Sequence, residues 1–303
     1  MATTVLGLKT FAASDPVDVN EVNDNYVKID GGVKTAMQGR AAHNWLDNSW
    51  FVNPVNQRGQ ATYNTSGYCI DRWLLDAGSA SIGDSGITLT GATFVQRVAL
   101  KAGTYTFALH LSDGTTLFIN IQYDGKSSIT QIGGTSGTTG AYINSYNYSQ
   151  GVVTFQFVQG AGVVHIASWA ALYEGSYDAS TLPAYQPKGY AAELAECQRY
   201  FWRCDNTWFA EGSGYAFSNA EYRVSIILPQ MMRVTPTMIS STGNTTSYGI
   251  KIHTGAGANL TPTAVSLSMK NNRIDLTLTG NFTNGELGVL RLENDYLDFS
   301  ADL

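Results

Sequence analysis

The chain has 303 residues, of which 44% are hydrophobic and 12% aromatic, while only 14% carry a charge. Abundant core-forming residues exclude an intrinsically disordered chain, and 31 glycines with 17 tyrosines favour an all-β protein rich in tight turns. The net charge of -6 makes nucleic acid an unfavourable partner, because the average field repels phosphates.

The opening residues, MATTVLGLKT, lack the basic region and the apolar run that are typical of a signal peptide. No stretch of the chain approaches the roughly 20 consecutive apolar residues that a membrane helix needs. We therefore expect no membrane insertion and no export by the usual secretory route.

An amphipathic helix is predicted near the N-terminus, with Asp15 as its N-cap and Pro16 as its first helical residue. Apolar residues then follow at alternating spacings of three and four, as in a coiled-coil seam, at Val19, Val22, Tyr26, Ile29 and Val33. Gly31 and Gly32 are expected to interrupt this seam. Two interpretations stay open: a single helix packed on a neighbouring domain, or a short parallel bundle of like chains.

From Asn44 onwards the sequence shows β patterns. Alternating apolar residues over 105–111 and 117–123 flank Asp113-Gly114 and predict a hairpin with one buried face. A second antiparallel pair is expected from residues 153–157 and 164–166. Residues 133–150, rich in Gly, Ser, Thr and Tyr, are expected to form a long surface loop. Closely spaced strands of this kind predict a sandwich or a barrel.

Pro183 and Pro187 mark the clearest linker in the chain, since each proline prevents helix continuation and stiffens the segment. We therefore predict three parts: an N-terminal attachment segment over 1–43, a first domain over 44–187 and a second domain over 188–303. Limited proteolysis is expected to cut within the linker and to leave both domains folded.

The second domain is predicted to begin with a short helix and to continue in strands. The helix would place Leu194, Cys197 and Phe201 on one face. Further along, Asn271-Asn272 joins alternating apolar residues over 265–269 and 274–278, which predicts a second hairpin.

Motifs for catalysis or metal binding are absent from the sequence. Cys69, Cys197 and Cys204 are an odd set without a CxxC motif, so we predict three buried free thiols. His43 and Ser85 imitate a serine-protease pair, but too few residues separate them to build the two barrels that bring such a pair together. Carboxylates such as Glu193 and Glu196 have no motif around them. The sequence predicts no catalytic residue, no metal and no cofactor.

Aromatic residues are the strongest chemical signal. Flat rings with apolar faces and polar edges suit the C–H patches and hydroxyls of sugars. Rings in runs too polar to be core are the predicted ligand contacts: Tyr142, Tyr146, Tyr148, Trp208 and Tyr215. The tryptophans expected to fill cores lie within strand-like segments, and they are Trp45, Trp50, Trp73 and Trp169.

Four runs of the sequence carry a family likeness: LGLKTFAASDPVDVNEVNDNYVKID (6–30), NWLDNSWFVNPVNQRG (44–59), TSGYCIDRW (65–73) and ALYEGSYDASTLPAYQPKGYAAELAECQRYF (171–201). The last three resemble tail-fibre and baseplate receptor-binding proteins of bacteriophages and prophages. The first is similar to the attachment segment of the same proteins. The likeness covers about the first two thirds of the chain.

This resemblance implies two β-sandwich domains in tandem, the first a carbohydrate-binding jelly roll, behind a short helical attachment segment. It implies a homotrimer on the virion tail, assembled in the cytoplasm of the host bacterium, that binds a bacterial surface glycan. The N-terminal segment would contact other tail or baseplate proteins. Two other functions stay open: a depolymerase or esterase that cuts the bound polysaccharide, and a structural fibre connector without a ligand.

Overall fold

The computed structural model describes residues 18–38, 42–138, 140–204, 212–240, 246, 248–255, 257, 259–292 and 296–302. Strands dominate these residues and helices are few, which confirms the predicted all-β class. None of the described helices is long and apolar enough to cross a membrane. We name residues 44–175 the first unit, residues 176–200 the connecting segment and residues 201–302 the distal unit.

The first described element is the helix α1 (Val19–Gln38). Asp18 caps it, because its carboxylate accepts a hydrogen bond of 2.8 Å from the backbone N–H of Asn20. The predicted start at Asp15 and Pro16 lies outside the described residues.

The apolar seam of α1 faces solvent, with Val19 66% and Tyr26 67% exposed. The helix continues through Gly31 and Gly32 to Gln38, so the two glycines do not end it. Two glycines lower helix propensity by only about 1 kcal/mol each, which a helix of this length can tolerate.

Eleven strands of the first unit form one hydrogen-bonded sheet. They are β1 (Thr62–Tyr63), β2 (Gly67–Tyr68), β3 (Leu74–Gly83), β4 (Gly86–Ala99), β5 (Gly103–Leu111), β6 (Thr116–Tyr123), β7 (Ile129–Thr135), β8 (Gly137–Thr138), β9 (Ala141–Ser149), β10 (Val152–Gln159) and β11 (Val164–Glu174). The main path runs β7-β6-β5-β11-β4-β10-β9-β8, and β3 pairs with β4, β1 and β2.

One predicted strand pair of the first unit is confirmed and the other is wrong. β5 and β6 form the expected hairpin, in which Leu109 lies opposite Leu117. β10 and β11 are both strands, but each pairs with β4, which lies between them. Alternation identifies the buried face of a strand and says nothing about which strand lies beside it.

The predicted loop over 133–150 is also wrong, because most of it lies in β7, β8 and β9. β9 pairs with β10 along its length, and Ile143 is fully buried in the core. Tyrosine, threonine and isoleucine favour extended backbone, so a run of them pairs readily when a neighbouring strand is present.

Aromatic rings lie at the centre of the hydrophobic core of the first unit. Trp73 is 1% exposed and stacks on Phe94, with ring centroids 4.6 Å apart. Phe51 meets Trp73 edge-on at 5.0 Å. The indole N–H of Trp73 donates a 2.9 Å hydrogen bond to the carbonyl of Asn48. The ring buries a large apolar area without leaving its polar atom unpaired.

The connecting segment packs against the first unit. The Tyr185 ring stacks on Trp169 at 4.8 Å, and its hydroxyl lies 3.2 Å from the Ser49 hydroxyl. Pro183 is buried. The segment then forms the helix α2 (Tyr190–Cys197), which ends before Phe201 and therefore does not carry it, contrary to the sequence prediction.

The distal unit contains two sheets. Its strands are β12 (Phe201–Cys204), β13 (Gly212–Ser218), β14 (Glu221–Ile227), β15 (Thr237–Ser240), β16 (Ile250–Thr254), β17 (Asn259–Leu260), β18 (Ala264–Lys270), β19 (Arg273–Thr279), β20 (Leu287–Leu292) and β21 (Leu297–Ser300). The smaller sheet has the order β12-β21-β15, and the larger has the order β17-β16-β20-β13-β14-β19-β18.

The predicted hairpin of the distal unit is confirmed, since β18 and β19 pair antiparallel through a turn at Asn271. Asn271 has a φ of 53°, a left-handed conformation that asparagine tolerates better than most residues. The buried face of β19 joins a hydrophobic core that is separate from the core of the first unit and includes Ile274, Leu276, Leu278, Val224 and Phe299.

Buried charges join the first unit to the end of the distal unit. Arg58 contacts Asp71 at 3.1 Å and Asp302 at 3.0 Å. Gln57 donates a 2.8 Å hydrogen bond to the carbonyl of Phe201. Burial raises the pKa of Asp71 to about 7, against the opposing effect of the Arg58 guanidinium. The two units therefore share a buried polar junction.

All three cysteines, Cys69, Cys197 and Cys204, are buried and free, as the sequence predicts. Burial raises the pKa of the Cys69 thiol to about 12 and raises that of Cys197 further. Both thiols are therefore protonated and unreactive at neutral pH.

Candidate functional site

The seven-stranded sheet of the distal unit has one face toward the core and one face toward solvent. Successive side chains on a strand point to opposite faces, so the residues between the buried positions of β13, β14, β19 and β20 point outward. We call this solvent-facing surface the outer face; its members include Ser213, Tyr215, Phe217, Arg223, Ser225, Asp275, Thr277, Leu287 and Val289.

The antiparallel register aligns the outer face into two rows that cross the strands. One row carries the larger side chains and consists of Leu287, Tyr215, Arg223 and Thr277. The other has small residues at its middle and consists of Val289, Ser213, Ser225 and Asp275. We call the surface along this second row, with the side chains of Leu287, Tyr215 and Arg223 that border it, the trough.

Two open depressions lie along the trough, and Tyr215 lines both of them. The larger, of about 760 Å³, is bordered by Tyr215, Leu287, Val289 and His253 over a floor that includes glycine backbone. The smaller, of about 390 Å³, is polar and lined on its far side by Arg223, Ser225, Arg273, Asp275 and Thr277. Tyr215 is 45% exposed, so its ring is available to a ligand on this surface.

A buried tyrosine supports this part of the sheet from the core side. Tyr222 is 1% exposed, and its hydroxyl donates a 2.7 Å hydrogen bond to the carbonyl of Gly214. A Cβ on Gly288 would lie 3.0 Å from that hydroxyl and 2.7 Å from the carbonyl oxygen of His253. A Cβ on Gly214 would lie 2.1 Å from the carbonyl oxygen of Arg223. Glycine is therefore required at both positions beneath the trough.

Charges in the smaller depression are compensated by their neighbours. Arg223 contacts Glu221 at 2.6 Å, and Arg273 contacts Asp275 at 2.8 Å. Ser225 donates a 2.7 Å hydrogen bond to Asp275. Partial burial alone would raise the pKa of Asp275, but this hydrogen bond and the Arg273 guanidinium hold it below its ordinary value. The depression offers donors and acceptors together with little net charge.

The predicted contacts of the first unit lie on β9 rather than in a loop. Tyr142, Tyr146 and Tyr148 share one face of the strand, opposite the buried Ile143. Tyr142 is half-buried, whereas Tyr146 is 43% and Tyr148 50% exposed. The Tyr148 ring lies 3.9 Å from the Arg97 guanidinium, so one face of it is already occupied.

Of the two contacts predicted in the distal unit, Tyr215 lies on the outer face described above. Trp208 lies outside the described residues. The four predicted contacts that the structure describes therefore separate into three on the β9 face of the first unit and one on the outer face of the distal unit.

A further pocket, of about 280 Å³, lies between the first unit and the connecting segment. Trp45 lines it and is 38% exposed, so the prediction that this ring fills a core is wrong. Trp50 and Trp169 are half-buried at the surface of the sheet. Of the four tryptophans, Trp73 is the one whose predicted burial is confirmed.

Three carboxylates at this pocket come close enough to suggest a metal site. The ligand atoms of Asp47, Glu193 and Glu196 lie within 4.8 Å of one another. Each carboxylate already has a protein partner. Arg72 contacts Asp47 at 3.0 Å, and Lys188 is paired with Glu196. The backbone N–H of Asn48 donates a hydrogen bond to the Glu193 carboxylate. Burial raises the pKa of Glu193 against the effect of that bond. The bond from the Asn48 backbone N–H to Glu193 joins α2 to the first unit, and the other two pairs lie within the first unit and within the connecting segment.

The sequence alone predicts Tyr215 as a contact but does not predict the residues around it. Arg223, Ser225 and Asp275 join Tyr215 only because three strands pair in one register. The alternation of β14 and β19 was visible in the sequence and could have placed these side chains on a solvent-facing surface. Which strands lie beside β13 was not visible.

No family model matches this chain, and no curated protein or solved structure matches it either.

Proposed function

We propose that this chain is a phage-type receptor-binding protein of a tail fibre or baseplate, and that it adheres to a bacterial surface glycan. The observation that carries the proposal is Tyr215, which stands exposed between an apolar and a polar depression on the outer face. Sugar rings present C–H patches to aromatic faces and hydroxyls to serines and charged pairs. The runs over 44–59, 65–73 and 171–201 resemble such proteins, which supports a place on the virion tail.

The arrangement proposed with this function is a jelly-roll first unit followed by a β-sandwich distal head. Two separate hydrophobic cores support it, one for each set of strands. The N-terminal segment over 1–43 would attach the protein to other tail or baseplate proteins.

The proposed assembly is a homotrimer. The solvent-facing seam of α1 supports it, because apolar side chains at coiled-coil spacing are stabilised when like helices bury them together. Val and Ile at seam positions fit assemblies of three or more strands better than Leu-rich dimer seams. The helix has 20 residues, so the β units would have to add interface area.

Light scattering of the full chain tests the assembly. We expect three times the 32.7 kDa mass of one chain at micromolar concentration. Ile29→Asp, which puts a charge into the seam, should lower that mass. A single-chain mass for the unaltered protein contradicts the trimer.

In a trimer, sugar sites that are weak one by one would be enough for adhesion. A shallow sugar site with one or two stacked rings binds near millimolar, about -4 kcal/mol. Three such sites on one particle can gain about 10²-fold or more in avidity. The open shape of the depressions beside Tyr215 fits weak sites of this kind.

Adsorption to immobilised polysaccharides tests the proposed function. The panel contains purified bacterial capsule, wall and lipopolysaccharide glycans, and the readout is saturable retention of the full chain. Tyr215→Ala should weaken retention about tenfold or more through loss of ring stacking, while Tyr215→Phe retains most of it. Tyr190→Ala removes an exposed tyrosine from α2 and is the matched control.

The other outcomes of this experiment separate the rival functions. Retention that survives Tyr215→Ala but is lost in a Tyr142, Tyr146 and Tyr148 triple alanine variant moves the site to β9. Release of shortened polysaccharide favours a depolymerase. A protein that binds no glycan of the panel contradicts the proposal and favours a structural connector.

A further inference from the structure

We propose that the trough binds a run of several sugars from an uncharged polysaccharide, laid across the strands, rather than a single terminal sugar. This inference rests on the proposed function, since it names the class of glycan and its orientation on the same surface. Three features of the outer face carry it: the length of the trough, its division into an apolar and a polar half, and the balance of its charges.

The trough is longer than one sugar ring. The two depressions share Ser213, Gly214 and Tyr215, so they form one continuous surface from His253 on β16 to Ser268 on β18. This surface crosses six neighbouring strands. At about 4.8 Å between neighbouring strands, the surface spans about 24 Å, which is room for several linked sugars.

The two halves of the trough offer different chemistry. On one side of Tyr215, Leu287 is 71% exposed beside Val289, and together they form an apolar platform. On the other side, the hydroxyl of Ser225 and the charged groups of Arg223 and Asp275 line the surface. A sugar chain carries both C–H faces and hydroxyls, so it can contact both halves at once, with Tyr215 between two successive rings.

The charges of the trough favour an uncharged ligand. Arg223 is paired with Glu221, and Arg273 is paired with Asp275. An anionic polymer on the arginines would bring its charge against both carboxylates, whereas hydroxyls can accept from the guanidinium groups and donate to the carboxylates. Neutral polyhydroxy chains therefore match this pattern better than uronic acid or phosphate-containing polymers.

The first test measures affinity against ligand length with the full, unaltered chain. The probe is a size ladder of fragments, from one to about eight sugars, made by partial acid hydrolysis of the polysaccharide retained in the adsorption experiment. Affinity measured by calorimetry should rise about tenfold or more between one sugar and four or five, and then level off as the trough fills. Equal affinity for a single sugar and for long fragments overturns the inference.

The second test measures salt dependence on the same fragments. Binding of an uncharged chain should change less than about twofold between 0.05 and 0.5 M NaCl, because there is no net charge on the ligand to screen. A loss of affinity of about tenfold or more shows an anionic ligand and overturns the charge argument.

A blocking variant tests the position of the ligand. Ser213→Tyr places a ring in the middle of the trough at a solvent-facing strand position, and it should reduce the affinity for long fragments to that for one sugar. Thr279→Tyr makes the same change on β19 outside both depressions and should bind like the unaltered chain. Full affinity of a folded Ser213→Tyr variant for long fragments contradicts the proposed path.

The experiments distinguish a failure of the proposed function from a failure of the extended trough. If the unaltered chain retains no polysaccharide, the proposed function itself fails. If it retains one but does not distinguish short from long fragments, the function stands and the extended trough is wrong.

Discussion

The first unit and the distal unit both contain aromatic residues among Gly, Ser and Asn, but the rings lie in different environments. In the first unit, Trp73 and Phe94 stack inside the core. In the distal unit, Tyr215 and Phe217 are 45% and 50% exposed on the outer face. Aromatic composition therefore identifies neither a core nor a binding surface. The strand position of each ring, and what covers that face of the sheet, decide between them.

The strands β9 and β13, which carry the exposed tyrosines of the two units, sharpen this contrast. β9 presents Tyr146 and Tyr148 to solvent, and Tyr148 is already stacked with Arg97. On β13, Tyr215 borders two depressions with polar and apolar partners beside it. Exposure is similar on both strands, so the surroundings of the ring distinguish the better candidate site.

The largest expected effect follows from removing the central ring of the first unit. Trp73→Ala should cost about 3–5 kcal/mol of unfolding free energy, because it leaves a cavity beside Phe94 and an unpaired carbonyl at Asn48. Trp45→Ala, at the exposed tryptophan, should cost much less, about 1 kcal/mol. Urea denaturation of both variants checks this, and equal costs would contradict the assignment of core and surface.

A second prediction concerns the buried junction between the units. The folded-state pKa of Asp71, about 7, lies above its ordinary value of 3.8, so the folded protein holds this proton more tightly than the unfolded chain does. Stability contributed by Asp71 is therefore greatest below about pH 4 and falls as the pH rises toward 7. Burial raises the pKa of Asp302 as well, and the two carboxyls act in the same direction.

Asp71→Asn should make the decrease of unfolding free energy with rising pH shallower by up to about 1.4 kcal/mol per pH unit, because one titrating proton is removed. Denaturation curves collected from pH 4 to pH 8 on both proteins provide the measurement. The same slope in both proteins would show that Asp71 does not contribute to their pH dependence.

A smaller effect, on the rate of proteolysis, is expected from a substitution in the connecting segment. Tyr185 stacks on Trp169 and holds the segment against the first unit, so cleavage between Ser176 and Lys188 should be slow, unlike the ready cleavage that the two prolines predict from the sequence. Tyr185→Ala removes a ring pair worth about 0.5–1.5 kcal/mol and should speed cleavage by up to about tenfold. Mass spectrometry of timed digests locates the cuts. If the unaltered segment is cut at once, this packing does not protect it in solution.

The smallest effects are expected on β9. Tyr146→Ala should change the unfolding free energy by no more than about 0.5 kcal/mol, since the ring is exposed. Tyr148→Ala also loses the contact with Arg97 and should cost about 0.5–1 kcal/mol. Thermal denaturation of the pair compares the two. A larger loss for Tyr146 than for Tyr148 would show that its ring is packed more tightly than its exposure indicates.

Local patterns in the sequence determined much of this fold correctly. The all-β class, the β5–β6 hairpin and the β18–β19 hairpin all follow from period-two alternation on both sides of a turn. The alternation and the turn together extend over fewer than about 20 residues, so they do not depend on the rest of the chain. The burial of the three cysteines likewise follows from the chemistry of the residue itself.

Tertiary structure decided what the alternation left open. β4 lies between β10 and β11, residues 133–150 contribute strands because β10 is beside them, and Trp45 is exposed because no part of the described chain covers it fully. The trough exists because β20, β13, β14 and β19 meet in one register. Side-chain alternation reports which face of a strand is buried; its neighbours depend on pairing energies summed over residues far apart in sequence.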